Sequence, residues 1–211
     1  FTDFGAGADG ASAMTASGYP RIVKEWKRGT PLDSATTVDA GRPDDMYIAA
    51  WHDNTPGFER DFVSRTLAFY NDELYLRGKD GKLGKVDAPN SANKSVHGRW
   101  LLLQLRDPWT VDGTTYPSGA LLAADFDAFM AGKRSFATLF EPTGKTSLEA
   151  FTWTKSHLVL NVLDDVKNKL RVLTYPQGGG AHDGWIEGDF PGAPAIGTLG
   201  ALSGSTLGKL V

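Results

Sequence analysis

The sequence predicts an all-β chain of β-propeller type, and three observations carry that expectation. The first is the stretch from Lys94 to Asp127. It holds two short apolar runs, Arg99–Leu105 (RWLLLQL) and Ala120–Phe126 (ALLAADF), separated by the turn-forming groups Asp107-Pro108, Asp112-Gly113 and Pro117-Ser118-Gly119. Side chains alternate across a strand, so a run that is apolar at successive positions is buried on both faces. No amphipathic helix flanks these runs as a parallel sheet would require. An antiparallel sheet with a further sheet on each side, as in a propeller blade, meets the same demand. Trp100 and Leu102 are accordingly expected on opposite faces of one strand, each against a different neighbouring sheet. The second observation is composition: 25 Gly and 11 Pro supply turns, while 11 Phe and 6 Trp favour strands.

The third observation is a repeat. Val38-Asp39-Ala40-Gly41, Val86-Asp87-Ala88-Pro89, Phe140-Glu141-Pro142 and Ile186-Glu187-Gly188 each place a large apolar residue before an acid and a Gly or Pro turn. They recur at intervals of 48, 54 and 46 residues. Buried runs follow the first three at Tyr47–Trp51, Leu101–Leu103 and Leu158–Leu160. A period near 50 residues with about four short strands is the size of a propeller blade. The expected division is a partial blade at 1–41, blades at about 42–90, 91–143 and 144–191, and a partial blade or tail at 192–211. A β-sandwich with evenly spaced strands would give the same pattern, so that alternative stays open here.

Taken in order, Phe1–Ser17 reads as a Gly/Ala/Ser-rich loop and Tyr19–Trp26 as a strand ended by Arg28-Gly29-Thr30-Pro31. Thr36–Asp39 is a short outer strand and Asp45–His52 a buried one. Phe62–Tyr70 and Glu73–Arg77 form a hairpin around Asn71-Asp72. Asp80-Gly81 is a type I′ signal leading to Leu83–Asp87. After the central stretch come strands at Phe136–Glu141, Ala150–Thr154, Leu158–Leu163, Lys169–Leu173 and Trp185–Glu187. The one helical possibility, Asp125–Gly132, is two turns at most. The tail Ile196–Val211 is expected either to pair with Tyr19–Trp26 and close a compact ring, or to leave end blades through which two copies associate.

The net charge of −3 gives no reason to expect nucleic acid, and no apolar stretch reaches the roughly 18 residues of a membrane-spanning helix. With no cysteine, disulfides, thiolate nucleophiles and Cys-based zinc sites are excluded. The chain opens at Phe1 with no signal-like segment, so it is expected to start within a longer polypeptide, and cytoplasm and periplasm both stay open.

No catalytic residue is expected in this chain. Gly200-Ala201-Leu202-Ser203-Gly204 misses the nucleophile-elbow spacing by one place. Gly178-Gly179-Gly180 lacks the lysine of a phosphate loop. The histidines His52, His97, His157 and His182 are scattered, and His52 and Asp53, adjacent on a strand, point apart and form no dyad. Asp164-Asp165 and the pair Asp125 and Asp127 lack further oxygen ligands for calcium, so no metal or cofactor is expected. Arg60, Arg65, Arg99 and Arg106 remain as side chains able to face a channel and hold a peptide's carboxylate or carbonyls. Arg60, Arg65 and Arg106 are the substrate-binding candidates, against the alternative that all are solvated strand ends in ion pairs.

The segment Ser17–Leu32, SGYPRIVKEWKRGTPL, resembles the propeller of the prolyl oligopeptidase family of serine peptidases. Thr2-Asp3-Phe4-Gly5 looks like the same family's lead-in, and Trp26–Leu32 is the most specific part. The similarity runs through Trp51-His52-Asp53, Leu74–Arg77 and Trp100–Pro108 to about Thr174. The resemblance implies a seven-bladed propeller capping an α/β-hydrolase domain that carries the serine, aspartate and histidine. It further implies that the propeller restricts access to short peptides. The partners implied are the hydrolase domain of the parent chain and short peptides. The rival readings are a stand-alone propeller that binds peptide or sugar, and a structural fragment without ligand.

Overall fold

The computed structural model describes residues 1–3, 12–175 and 184–192. The chain divides into two compact units, Phe1–Ala92 and Asn93–Val211. The first unit begins with β1 (Thr2–Asp3), β2 (Ile22–Glu25) and β3 (Thr36–Ala40), an antiparallel sheet in the order β1-β2-β3. A second sheet follows as a meander of β4 (Tyr47–Asp53), β5 (Arg60–Ala68), β6 (Asn71–Arg77) and β7 (Leu83–Lys85). Val23, Ile48 and Val63 form the buried centre of this unit, with Val38, Tyr75 and Leu83 packed around them. The β-branched residues Val and Ile suit this setting because they lose little rotamer freedom on a pleated surface.

Turn chemistry departs from expectation at two hairpins. The β5–β6 turn falls on Phe69-Tyr70, with Tyr70 at φ 58°, and Asn71-Asp72 already belong to β6. Register decides this. Pairing Ala68 with Asn71 and Ser64 with Leu74 puts Leu74 inside at 4% exposure, whereas a slip of one residue would turn it outward. At Asp80-Gly81 only Gly81 has positive φ, at 80°. Gly78 and Lys82 bracket a three-residue loop in which the Gly78 amide donates to the Lys82 carbonyl at 2.8 Å. That is a type I turn followed by a left-handed glycine, not a type I′ turn.

The expected buried run at Tyr47–Trp51 is also corrected. Ile48 is buried, but Tyr47 and Trp51 are 42% and 46% exposed. β4 is an edge strand of its sheet, and the second position is filled by β5, where Phe62 and Val63 are each 1% exposed. The tail proposed to pair with Tyr19–Trp26 lies outside the described residues. Both edges of β2 are in any case occupied, by β1 on one side and β3 on the other.

The second unit contains β8 (Asn93–His97), β9 (Trp100–Gln104), the hairpin β10 (Trp109–Val111) and β11 (Thr114–Tyr116), then β12 (Leu121–Asp125), α1 (Phe126–Met130) and β13 (Ala137–Phe140). It ends with β14 (Thr146–Trp153), β15 (His157–Asp164), β16 (Lys167–Thr174) and β17 (Ile186–Asp189). Two four-stranded antiparallel sheets result, ordered β13-β12-β9-β8 and β14-β15-β16-β17. The β10–β11 hairpin is an excursion between β9 and β12. It turns at Asp112-Gly113, with φ 48° and 77°, the positive pair that a type I′ turn needs.

The two sheets bury one core between them. Trp100, Leu102, Leu121 and Ala123 come from the first sheet, and Leu158, Leu160, Val162 and Leu173 from the second. Trp100 and Leu102 therefore share one face of β9, which corrects the expectation that they point apart. Residues two apart in a strand lie on the same side, and Leu101 and Leu103 are the ones that alternate with them. All of Leu101, Leu103 and Leu122 are 0% exposed, so both faces of this sheet are buried, as its apolar runs require.

The helix α1 is the short one foreseen. Asp125 caps it, accepting from the Ala128 amide at 2.9 Å, and also receives Arg99 Nε at 3.0 Å and Nη2 at 2.7 Å. Burial acts to raise the Asp125 pKa, but the Ala128 N–H and the Arg99 guanidinium outweigh it and hold the carboxyl below its usual range. A depressed folded pKa adds stability above the unfolded carboxylate pKa, which is lost as pH falls through the folded one. Asp125→Asn should therefore flatten the acid limb of a stability–pH profile below about pH 4, measured by urea melts. Leu102→Ala should cost on the order of 2–5 kcal/mol in the same melts. A loss below about 0.5 kcal/mol would show that β9 is not core.

Candidate functional site

The second unit carries an open cleft of about 510 Å³, lined mainly by polar atoms. Asn93 opens β8, Gln104 closes β9, and Arg106 follows two residues on. Ser118 and Gly119 lie just before β12, and Leu148 and Glu149 belong to β14. The cleft thus lies where the edge strands β8 and β14 of the two sheets meet the ends of the central strands. Ser118 Oγ donates to the Arg106 carbonyl at 2.5 Å, fixing the loop that carries the arginine. Asn93 Nδ2 donates to Gln104 Oε1 at 3.5 Å, and Gln104 Nε2 to the Leu148 carbonyl at 3.4 Å.

Glu149 reaches the cleft because β14 is irregular there. Leu148 pairs with Val162 and Ala150 with Asn161, which leaves Glu149 as an extra, bulged residue. Its carboxylate accepts from Asn161 Nδ2 at 2.9 Å and Asn168 Nδ2 at 2.5 Å. The cleft residues Asn93, Gln104 and Glu149 are absent from the sequence-based candidates. The nearest signal is Asn161, which interrupts the apolar run of β15: a buried amide there needs a partner, but the sequence does not say that the partner is Glu149.

The arginine candidates separate. Arg106 is on the cleft wall. Arg60 and Arg65 both lie on β5 of the first unit, five residues apart, and so project from opposite faces of that sheet. Arg60 sits over the Phe58 ring at 5.5 Å. Arg65 donates from Nε and Nη2 to Asp45 Oδ2 at 3.0 and 2.6 Å, and its Nη1 is 3.9 Å from Glu73. Asp45 is only 4% exposed. Burial opposes the charge on Arg65, yet Asp45 raises its pKa on balance. Lys85, with smaller help from Tyr75 and Arg65, holds Glu73 below its usual pKa, while burial and Glu73 push the Tyr75 hydroxyl up to about 12. Arg65 is thus built into a network that runs from Asp45, just before β4, through β5 and β6 to Lys85 on β7. Arg99 is likewise engaged by Asp125 and lies over the Trp100 ring at 5.2 Å.

His52 does not pair with Asp53, as expected from alternation. It does pair across the strands with Asp61, Nδ1 to Oδ1 at 2.7 Å, a contact the sequence did not suggest. Both side chains are half exposed, which makes this a surface pair. Among the described residues no cluster of His, Asp or Glu has the makings of a metal site.

The four-stranded antiparallel sheets match the propeller domains of peptidases. The structure aligns with a post-proline cleaving enzyme from Rickettsia typhi at a TM-score of 0.73 and 23% identity, over 84% of this chain and 27% of that one. It aligns with oligopeptidase B from Leishmania major at 0.54 and 12%, over 81% of this chain and 24% of that one. In sequence, the chain is 30% identical over 175 residues to an uncharacterized peptidase of Sinorhizobium fredii, covering 79% of this chain and 24% of the relative. It is 25% identical over 170 residues to an uncharacterized peptidase of Rickettsia prowazekii, over 76% of this chain and 24% of the relative. No protein-family model matches the chain. The chain spans about a quarter of the length of these relatives. Its homologues and structural neighbours are peptidases of the prolyl oligopeptidase family, and the family resemblance read from the sequence is borne out.

The network around Arg65 yields a direct test. Arg65→Met should destabilise the chain by on the order of 3 kcal/mol in a urea melt, because it strands the buried Asp45 carboxylate. The double change Arg65→Met with Asp45→Asn should recover much of that loss. A single substitution without effect would show that Arg65 is not structural.

Proposed function

We propose that this chain is a propeller portion of a prolyl-oligopeptidase-like serine peptidase. Its role is to gate the access of short peptides to a hydrolase domain that these 211 residues do not contain. The observation that supports this most is the recurrence of a four-stranded antiparallel sheet in a chain homologous to such peptidases over 79% of its length. In this reading each four-stranded sheet is a blade, at about 42–90, 91–143 and 144–191, preceded by a partial blade at 1–41. The parent cleaves short peptides after proline by acyl transfer, its nucleophile and oxyanion hole lying in the hydrolase domain. The propeller contributes exclusion and a few contacts. Of the arginine candidates, Arg106 is assigned to substrate because it lines the cleft of the second unit, and Arg60 remains a separate candidate on the first. Arg65 is assigned to holding the first unit together.

Active-serine labelling tests this. A fluorophosphonate applied to the complete parent polypeptide should label a serine outside these 211 residues, and that polypeptide should hydrolyse a proline-containing chromogenic peptide. The purified chain alone should do neither. Labelling of a serine within the chain, absent from a heat-denatured control, would contradict the reading.

A further inference from the structure

The polar cleft of the second unit holds a solvent-exposed carboxylate that is oriented by amides rather than by an ion pair. Glu149 is fixed by two neutral amides, from Asn161 and Asn168, and Asn168 Nδ2 also donates to Asn161 Oδ1 at 3.0 Å. Asn161 is 6% exposed among Leu160 and Val162, each 0% exposed. Burying an amide in such a strand is costly unless its hydrogen bonds are made. Here those bonds serve to aim Glu149. Among the described residues neither Lys nor Arg pairs with that carboxylate. This contrasts with Asp45, Glu73, Asp125 and Asp164, each of which has a cation within 2.7 Å.

The wall beside Glu149 carries two further amides. Both hydrogen bonds linking Asn93, Gln104 and the Leu148 carbonyl are at the long limit for such contacts. Exchanging them for bonds to a ligand therefore costs little. A donor-and-acceptor amide pair beside a carboxylate oriented by amides matches the start of a peptide, which offers an ammonium and then a peptide unit.

We propose that this cleft binds the free amino terminus of a short peptide, the α-ammonium on Glu149 and the first peptide unit on the side-chain amides of Gln104 and Asn93. The volume of about 510 Å³ suits a few residues. This deepens the peptide-handling reading by naming which end of the peptide is recognised. Asn161 is a positioning residue in it, acting through Glu149.

Calorimetric titration of the whole chain tests it with three probes. These are Ala-Gly-Pro-Phe amide, its N-acetyl derivative, and acetyl-Lys-Gly-Pro-Phe amide, whose only ammonium is on a side chain. The free-amine peptide should bind at least about tenfold more tightly than either acetylated one, the usual scale for a hydrogen bond to a charged group. Glu149→Gln, with an unchanged melting temperature, should remove that preference, and Asn161→Leu should reduce it. Equal affinity for the free and acetylated peptides would overturn the inference. So would a preference that survives Glu149→Gln, lysine-peptide binding as tight as the free amine, or no binding by any probe. The serine-labelling result is independent of all these outcomes, so failure here leaves the peptidase reading to stand or fall by itself.

Discussion

Two-sided burial of the strands Trp100–Gln104 and Leu121–Asp125 is the constraint on which the rest of the second unit depends. Strands that are apolar on both faces cannot border water, so their sheet must be covered on each side. One cover is the sheet from Thr146 to Asp189, whose Leu158, Leu160 and Val162 meet Trp100 and Leu102. Polar residues are thereby pushed to strand ends and edge strands, and the cleft residues Asn93, Gln104, Arg106 and Glu149 lie there. A rigid antiparallel core with variable polar ends is a general way to carry a recognition site, since the ends change without disturbing packing.

The two units meet this constraint differently. The second is held by aliphatic and aromatic packing, with Arg99–Asp125 tying the end of a core strand to a capped helical turn. The first has a smaller described core and an ion network from Asp45 through Arg65 to Glu73 and Lys85. A buried ion pair contributes little net stability compared with apolar packing, but losing one partner is costly. Arg65 belongs to such a buried pair with Asp45, whereas Arg106 sits on a loop beside an open cleft.

Much of the fold was legible because hydrophobic pattern and turn residues act locally. The runs around Leu101 and Leu122 gave a doubly buried sheet, and Asp125 before Phe126 gave a short capped helix. What failed depended on register or on position within a sheet. The assignment of Trp100 and Leu102 to opposite faces broke the two-residue alternation itself. The run Tyr47–Trp51 is apolar enough for a core but lies on an edge strand, and sequence does not say which strand takes the edge. The β5–β6 turn moved to Phe69-Tyr70 because burial of Leu74 outranks the turn preference of Asn-Asp. For the site, Arg106 was legible as a loop cation. Glu149 was not, because its placement depends on a bulge and on amides 12 and 19 residues away. The peptidase relationship came from the segment Ser17–Leu32, a resemblance that no periodicity argument supplies.

The central claim is that these residues act on peptides by limiting what reaches a hydrolase domain elsewhere in the parent polypeptide. The most direct measurement is kcat/KM of that complete polypeptide against a series of proline-containing peptides of increasing length, with and without residues 1–211. A steep fall in kcat/KM with peptide length for the complete polypeptide, relieved when these residues are removed from a still-folded enzyme, is the predicted result. The same length dependence in both forms would contradict the account.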